Sequence, residues 1–189
     1  MARIAPLNPP YDHDTGEQLT KMMPPGAEPI LLFRTFARNL PMANAMGSWG
    51  SYELSRKLSL SMRDREILID RTCARCRCEY EWAVHIGYFA ERVGLSTEQI
   101  ASVTHGHAED PCWTAERDRL LIRAADALHD HATTDDALND QLVAEFTEHE
   151  LLDIYMLCGW YHAISYAANA ARVPLEDGAP RFEDVRGRA

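Results

Sequence analysis

Residues 61–99 read SMRDREILIDRTCARCRCEYEWAVHIGYFAERVGLSTEQ, and the order of caps and apolar positions within them sets the fold class. Ser61-Met62-Arg63-Asp64 has the form of a capping box, in which a side chain and the backbone satisfy each other's free groups at a helix start. Ile67, Leu68, Arg71, Thr72 and Cys73 follow on a helix that can run far towards Gly94, and the sequence leaves open whether it breaks near Arg75. Gly94 then reads as a helix stop, and Ser96 with Gln99 three residues on reads as the next start.

The same grammar continues on both sides. Upstream, Leu32, Phe33, Phe36, Leu40, Met42, Met46 and Trp49 recur at roughly helical spacing, interrupted at Pro41, which predicts two short helices or one kinked helix. Downstream, Thr114 can cap a helix carrying Leu120, Leu121, Ala124 and Leu128, and Thr134 or Asp135 opens another through Leu138, Leu142 and Phe146. Thr147 to Glu150 repeats the capping-box pattern before the most apolar helix, which ends at Val173-Pro174. No alternating Val/Ile/Thr-rich strand occurs, so the expected fold is all-α with about seven to eight helices. Prolines at 6, 9, 10, 24, 25 and 29 exclude a regular helix from the opening segment. The expected organisation is an N-terminal arm over 1–29, one helical domain over 30–176 and a tail over 177–189. A weak echo between Arg65-Glu66-Ile67-Leu68 and His149-Glu150-Leu151-Leu152 is what a duplicated helical hairpin leaves, and also what two amphipathic helices share by chance.

With 189 residues, 46% of them apolar and 25% charged, the chain has the balance of an ordinary globular domain, which excludes disorder and disulfide-dense miniprotein scaffolds. Its net charge of -10 repels phosphate backbones and anionic lipids, so nucleic acid is not an expected partner. No stretch reaches the ~18 consecutive apolar residues of a membrane helix. The opening MARIAPLNPPYDHD lacks the apolar core of a secretory signal, so a cytoplasmic setting is expected. Five cysteines, three of them at 73, 76 and 78, suit free thiols in a reducing compartment.

The chemistry concentrates in Cys78-Glu79-Tyr80-Glu81-Trp82-Ala83-Val84-His85. On a helix, Cys78, Glu81 and His85 fall within roughly 60° of one another. A thiol, a carboxylate and an imidazole on one face can exchange protons, the carboxylate fixing the imidazole tautomer. Glu66 joins them if the chain bends between 66 and 78. The plainer reading is a surface Glu–His pair worth ~0.3 kcal/mol beside a buried cysteine acting as a small hydrophobe. Tyr80, Trp82, Tyr88 and Phe89 supply the semi-polar bulk that lines a cleft for a small organic molecule. His105-Gly106-His107 and His129-Asp130-His131 read as solvated loop histidines and His162 as a core hydrogen-bonding group, so no metal site is expected.

The run REILIDRTCARCRCEYEWAVHIGYFAERVGL (65–95) resembles the signature region of the carboxymuconolactone decarboxylase and AhpD-like alkylhydroperoxidase superfamily, in particular its members with a YEW-x-x-H stretch. The resemblance extends more loosely over about residues 30 to 175, and it implies an all-helical fold and a homo-oligomer. In the peroxidase branch, a Glu is followed twelve residues later by Cys-x-x-Cys and then by a His four beyond. Here Glu66, Cys78 and His85 match, but Glu81 stands in place of the second cysteine. A carboxylate cannot resolve a sulfenic acid, so a two-cysteine cycle at 78 and 81 is excluded. Cys73-Ala74-Arg75-Cys76 has no histidine at the matching spacing. The resemblance therefore implies the decarboxylase side: acid/base chemistry on a small organic substrate without a cofactor. In that reading His85 moves the proton, Glu81 orients it, burial raises the Glu66 pKa, Cys78 lines the site or polarises a carbonyl, and Tyr80 and Trp82 contact substrate. A carboxylated ligand would need a local cation such as Arg63, Arg71 or Arg75. The alternatives are a thiol peroxidase using Cys78 alone and a non-catalytic helical binding or assembly protein.

Overall fold

The computed structural model describes residues 1–185, so positions 186–189 of the expected tail lie outside the described residues. Among the described residues nine α-helices follow one another: α1 (His13–Lys21), α2 (Leu31–Phe36), α3 (Leu40–Glu53), α4 (Met62–Arg75), α5 (Glu79–Phe89), α6 (Thr97–His105), α7 (Glu116–His131), α8 (Asp136–Glu145) and α9 (Glu148–Ala171). Two 3-10 turns, Ala37–Asn39 and Phe182–Val185, complete the set, and no strand occurs among the described residues. None of these helices is long and apolar enough to cross a membrane.

The helix starts obey local chemistry. Ser61, Ser96 and Thr147 each form the reciprocal capping box read from the sequence, and Asp135 caps α8. Pro41 stands in the first turn of α3, where its missing N–H is no loss, and a 3-10 turn separates that helix from α2. The α7 start departs from expectation: Ala115 is its N-cap and makes no side-chain bond.

The arm is a correction. Between Pro10 and Pro24 there is room for three turns, and α1 forms there, capped by Asp12. It buries Thr15, Gln18 and Leu19, and Gln18 donates to the Ala43 carbonyl at 3.2 Å, which docks the helix on α3. Among the described residues, eight α-helices from residue 31 onward agree with the expected seven to eight, and this one in the arm adds a ninth.

The centre of the molecule is α4, buried continuously from Asp64 to Cys73 and packed between α7, α9, α5 and α6. A buried charged helix must pair its charges. Arg71 grips Asp126 through two bonds of 2.7 and 2.8 Å and donates to the carbonyls of Val103 and Gly106. Asp64 is held by Arg117 at 3.0 Å. Asp70 differs: both its oxygens lack a partner, and burial, reinforced by the Glu66 charge, pushes its pKa well up, so it is a neutral acid.

Between α4 and α5 the helix breaks. Arg77 takes φ 53°, Cys78 N–H donates to Cys73 O at 2.8 Å, and Arg77 N–H donates to Ala74 O at 2.9 Å. These are the two bonds of a Schellman closure, a motif usually announced by glycine at the position Arg77 occupies. A side chain in the left-handed region costs about 1 kcal/mol. Arg77→Gly is therefore expected to raise unfolding stability by about 0.5–1 kcal/mol, read as a higher urea midpoint at unchanged slope. An unchanged or lower midpoint would show that the arginine side chain contributes contacts that outweigh the backbone term.

Candidate active site

The break carries Cys78 out of the helix. It is the N-cap of α5, at φ -92° and ψ 79°, so the shared helical face expected for residues 78, 81 and 85 holds only for Glu81 and His85. Cys78 is fully buried and burial pushes its thiol up to about 11, so it is a neutral core thiol outside the wall of the cavity that Glu81 and His85 line. All five cysteines are free.

What α4 and α5 do bring together is Glu66 and His85, nineteen residues apart. Glu66 Oε2 lies 2.7 Å from His85 Nδ1, and its other oxygen accepts from Arg65 Nε at 2.7 Å and Nη2 at 2.6 Å. Both carboxylate oxygens are thus occupied. Burial alone would push Glu66 up, but His85 and then Arg65, by charge and hydrogen bonding, together hold it below its ordinary value. This overturns the expectation of a neutral-range Glu66. The acid whose pKa is raised is Glu81: burial outweighs the attraction of His85, and its Oε2 has no partner. The two carboxyl groups exchange the parts assigned from the sequence, because Arg65 is buried beside one of them and no cation is paired with the other.

Tyr161 of α9 completes the array, its hydroxyl 3.0 Å from His85 Nε2 and its ring edge-on to the imidazole. Burial, followed by the charge of Glu81, pushes this phenol well up, so it remains protonated. With Nδ1–H donating to Glu66, Nε2 carries the lone pair and accepts from Tyr161 O–H. Tyr161 is not among the sequence-predicted site residues; the signal available was the Trp160-Tyr161-His162 run within a largely apolar helix.

Glu81, His85 and Tyr161 open onto a cavity of about 830 Å³, whose remaining wall comes from α1, the segment after it, α2 and α3, with further residues of α5 and α9. Phe33, Phe36, Met46, Phe89 and Trp160 make most of that wall apolar. The arm therefore forms part of the site. Tyr80 and Trp82 do not. The Tyr80 hydroxyl receives Leu32 N–H at 3.0 Å and donates to Glu176, and Trp82 is fully buried against Phe182. Both lie outside the cavity wall, so the expected substrate contacts serve the core instead. Arg63, Arg71 and Arg75 pair with Asp118, Asp126 and Asp130, and none reaches the cavity. Among the described residues, the Lys or Arg side chain that lines it is Lys21, which pairs with Glu17.

The fold has solved counterparts. An uncharacterized peroxidase-related protein from Silicibacter sp. TM1040 superposes with a TM-score of 0.74 at 16% identity, covering 96% of this chain and 92% of that one. The debrominase Bmp8 superposes with a TM-score of 0.63 at 17% identity, covering 92% of each chain. At these identities the likeness is one of fold. No curated protein matches the sequence. Residues 42–127, which hold Glu66, Glu81 and His85, match the model of the carboxymuconolactone decarboxylase family.

Proposed function

We propose that this protein is an enzyme that moves protons on a small, largely apolar organic substrate, such as a lactone or an enolisable carbonyl compound. The observation that carries the reading is the buried Glu66–His85–Tyr161 chain opening on the cavity beside Glu81, an acid without a partner on one oxygen. A proton leaving the carbon next to the carbonyl is taken up by the Tyr161 oxygen as the phenol's own hydrogen passes to His85 Nε2. The imidazolium so formed rests against the Glu66 carboxylate. In its protonated form, which burial favours, Glu81 gives its proton to the carbonyl oxygen, so the substrate leaves the step as an uncharged enol. Because Arg65 already neutralises Glu66, that carboxylate chiefly sets the tautomer and the ring orientation.

Decarboxylation of a carboxylated lactone is the namesake chemistry of the matched family model, but among the described residues the wall offers an anion only Lys21. An uncharged substrate suits it better. The peroxidase alternative would require Cys78, which is buried away from the cavity.

The test is incubation of the purified protein in deuterium oxide with neutral lactones, cyclic ketones, carboxylated lactones and organic peroxides, with free thiols counted before and after. Deuterium incorporation next to the carbonyl, with five thiols retained, is the expected result. Peroxide consumption accompanied by thiol loss, without any exchange, would overturn the proposal in favour of the peroxidase.

A further inference from the structure

Outside that cavity, three side chains from three helices converge. Cys76 is the C-cap of α4, His129 lies in the last turn of α7, and His162 is in the middle of α9. The expectation of loop histidines at 129 and 131 is corrected here, because α7 continues to His131. His129 Nδ1 stands 2.9 Å from His162 Nε2 and 3.8 Å from Cys76 Sγ, and all three donor atoms lie within 4.8 Å of one another.

The hydrogen bonding around the cluster prepares these atoms. His162 Nδ1–H donates to the Cys158 carbonyl at 2.7 Å, which fixes the tautomer and leaves the Nε2 lone pair aimed at the cluster. A ring nitrogen anchored on a backbone carbonyl is the usual support of a metal-binding histidine. Asn169 Nδ2 holds the Cys76 carbonyl at 2.9 Å, fixing the helix end that presents the thiol. As the side chains stand, one hydrogen on His129 Nδ1 serves the imidazole pair, and a metal ion in its place would take all three lone pairs. Arg75 nearby is matched by Asp126 and Asp130, so it does not bring net positive charge against a cation.

We propose that Cys76, His129 and His162 form a binding site for a divalent transition metal of the zinc class. A thiolate with two imidazoles is a borderline-soft set that suits zinc over magnesium or calcium. Tetrahedral coordination at ordinary zinc bond lengths places donor atoms roughly 3.3–3.6 Å apart, so the imidazole pair opens by a few tenths of an ångström while the sulfur closes in. All three residues are half-buried, which leaves the fourth position to water. None of them lines the proton-transfer cavity, so the site stands or falls independently of the proposed activity. A bound ion would tie the ends of α4 and α7 to α9 beside the break that leads into α5.

Cobalt(II) titration of the reduced, full-length protein tests this. The expected result is a thiolate-to-cobalt charge-transfer band and intense tetrahedral d–d bands saturating at one ion per chain, both erased by added zinc. Cys76→Ser is expected to lose the charge-transfer band, and His162→Gln to weaken cobalt binding more than about tenfold. As a second readout on the unmutated chain, zinc is expected to protect Cys76 from alkylation, located by mass spectrometry, and to raise the melting temperature. Absence of tetrahedral bands, a charge-transfer band that persists in a folded Cys76→Ser protein, or alkylation of Cys76 indifferent to zinc would each overturn the proposal.

Discussion

Replacing His85 with glutamine is expected to lower turnover at the cavity by about 10²–10⁴-fold, the usual contribution of a positioned acid/base group. Glutamine is close in length and remains neutral, so it fills the space between Glu66 and Tyr161 without stranding either as a buried charge. The loss should therefore appear in kcat with KM nearly unchanged, because the apolar wall that holds substrate stays in place. Tyr161→Phe removes the hydroxyl that takes the substrate's proton and faces His85 Nε2, and should lower turnover by a comparable factor. Far-ultraviolet circular dichroism and the melting temperature distinguish lost chemistry from lost folding. A folded His85→Gln protein turning over within about twofold of the unmutated chain would remove the imidazole from the mechanism.

The second large effect concerns stability. Glu66→Ala leaves Arg65, itself buried, without its counter-charge and His85 without its partner on Nδ1. Breaking one side of a buried ion pair typically costs about 3–5 kcal/mol, which the urea midpoint would report. If the stranded charge is the cause, adding Arg65→Met to a Glu66→Leu background should restore much of the loss, since paired removal leaves no buried ion. The pH dependence follows from the direction of the Glu66 shift. Its folded pKa lies below the ordinary 4.5, so the ionised form binds its partners more strongly folded than unfolded. That contribution is complete above about pH 4.5 and disappears as pH falls through the depressed value. The gap between the unmutated chain and Glu66→Ala should close in strong acid; a gap constant from pH 7 to pH 3 would assign the loss to packing alone. Glu66→Gln probes the other duty. If its amide N–H faces Nδ1, the ring's hydrogen moves to Nε2, and turnover should fall although the ion pair's shape is kept.

Much of the fold was legible because its signals are local. Ser61, Ser96 and Thr147 announce their helices through side chain–backbone bonds within one turn, and the structure shows all three. The two departures have equally local causes of a different kind. Helix α1 fits within a proline-free window that the count of prolines around it obscured, and its stability comes from Leu19 and Gln18 docking on α3. The break at Arg77 carries no glycine, so a motif normally visible in the sequence was silent there.

For the site, residue types and the 81/85 spacing could be read directly, and Glu66 entered on the condition that the chain bends between 66 and 78. The protonation of each acid could not, since it depends on which charge is buried beside it: Arg65 keeps Glu66 ionised, while Glu81 meets the cavity without a paired cation. Tyr161 lies 76 residues from His85, and Cys76, His129 and His162 come from three separate helices. Sequence patterns of capping and periodicity act over a few residues and settle where helices begin and which face they bury. Which distant side chains meet, and what ionisation that meeting imposes, is settled by how the helices pack around α4, because desolvation and pairing exist only once the core has closed.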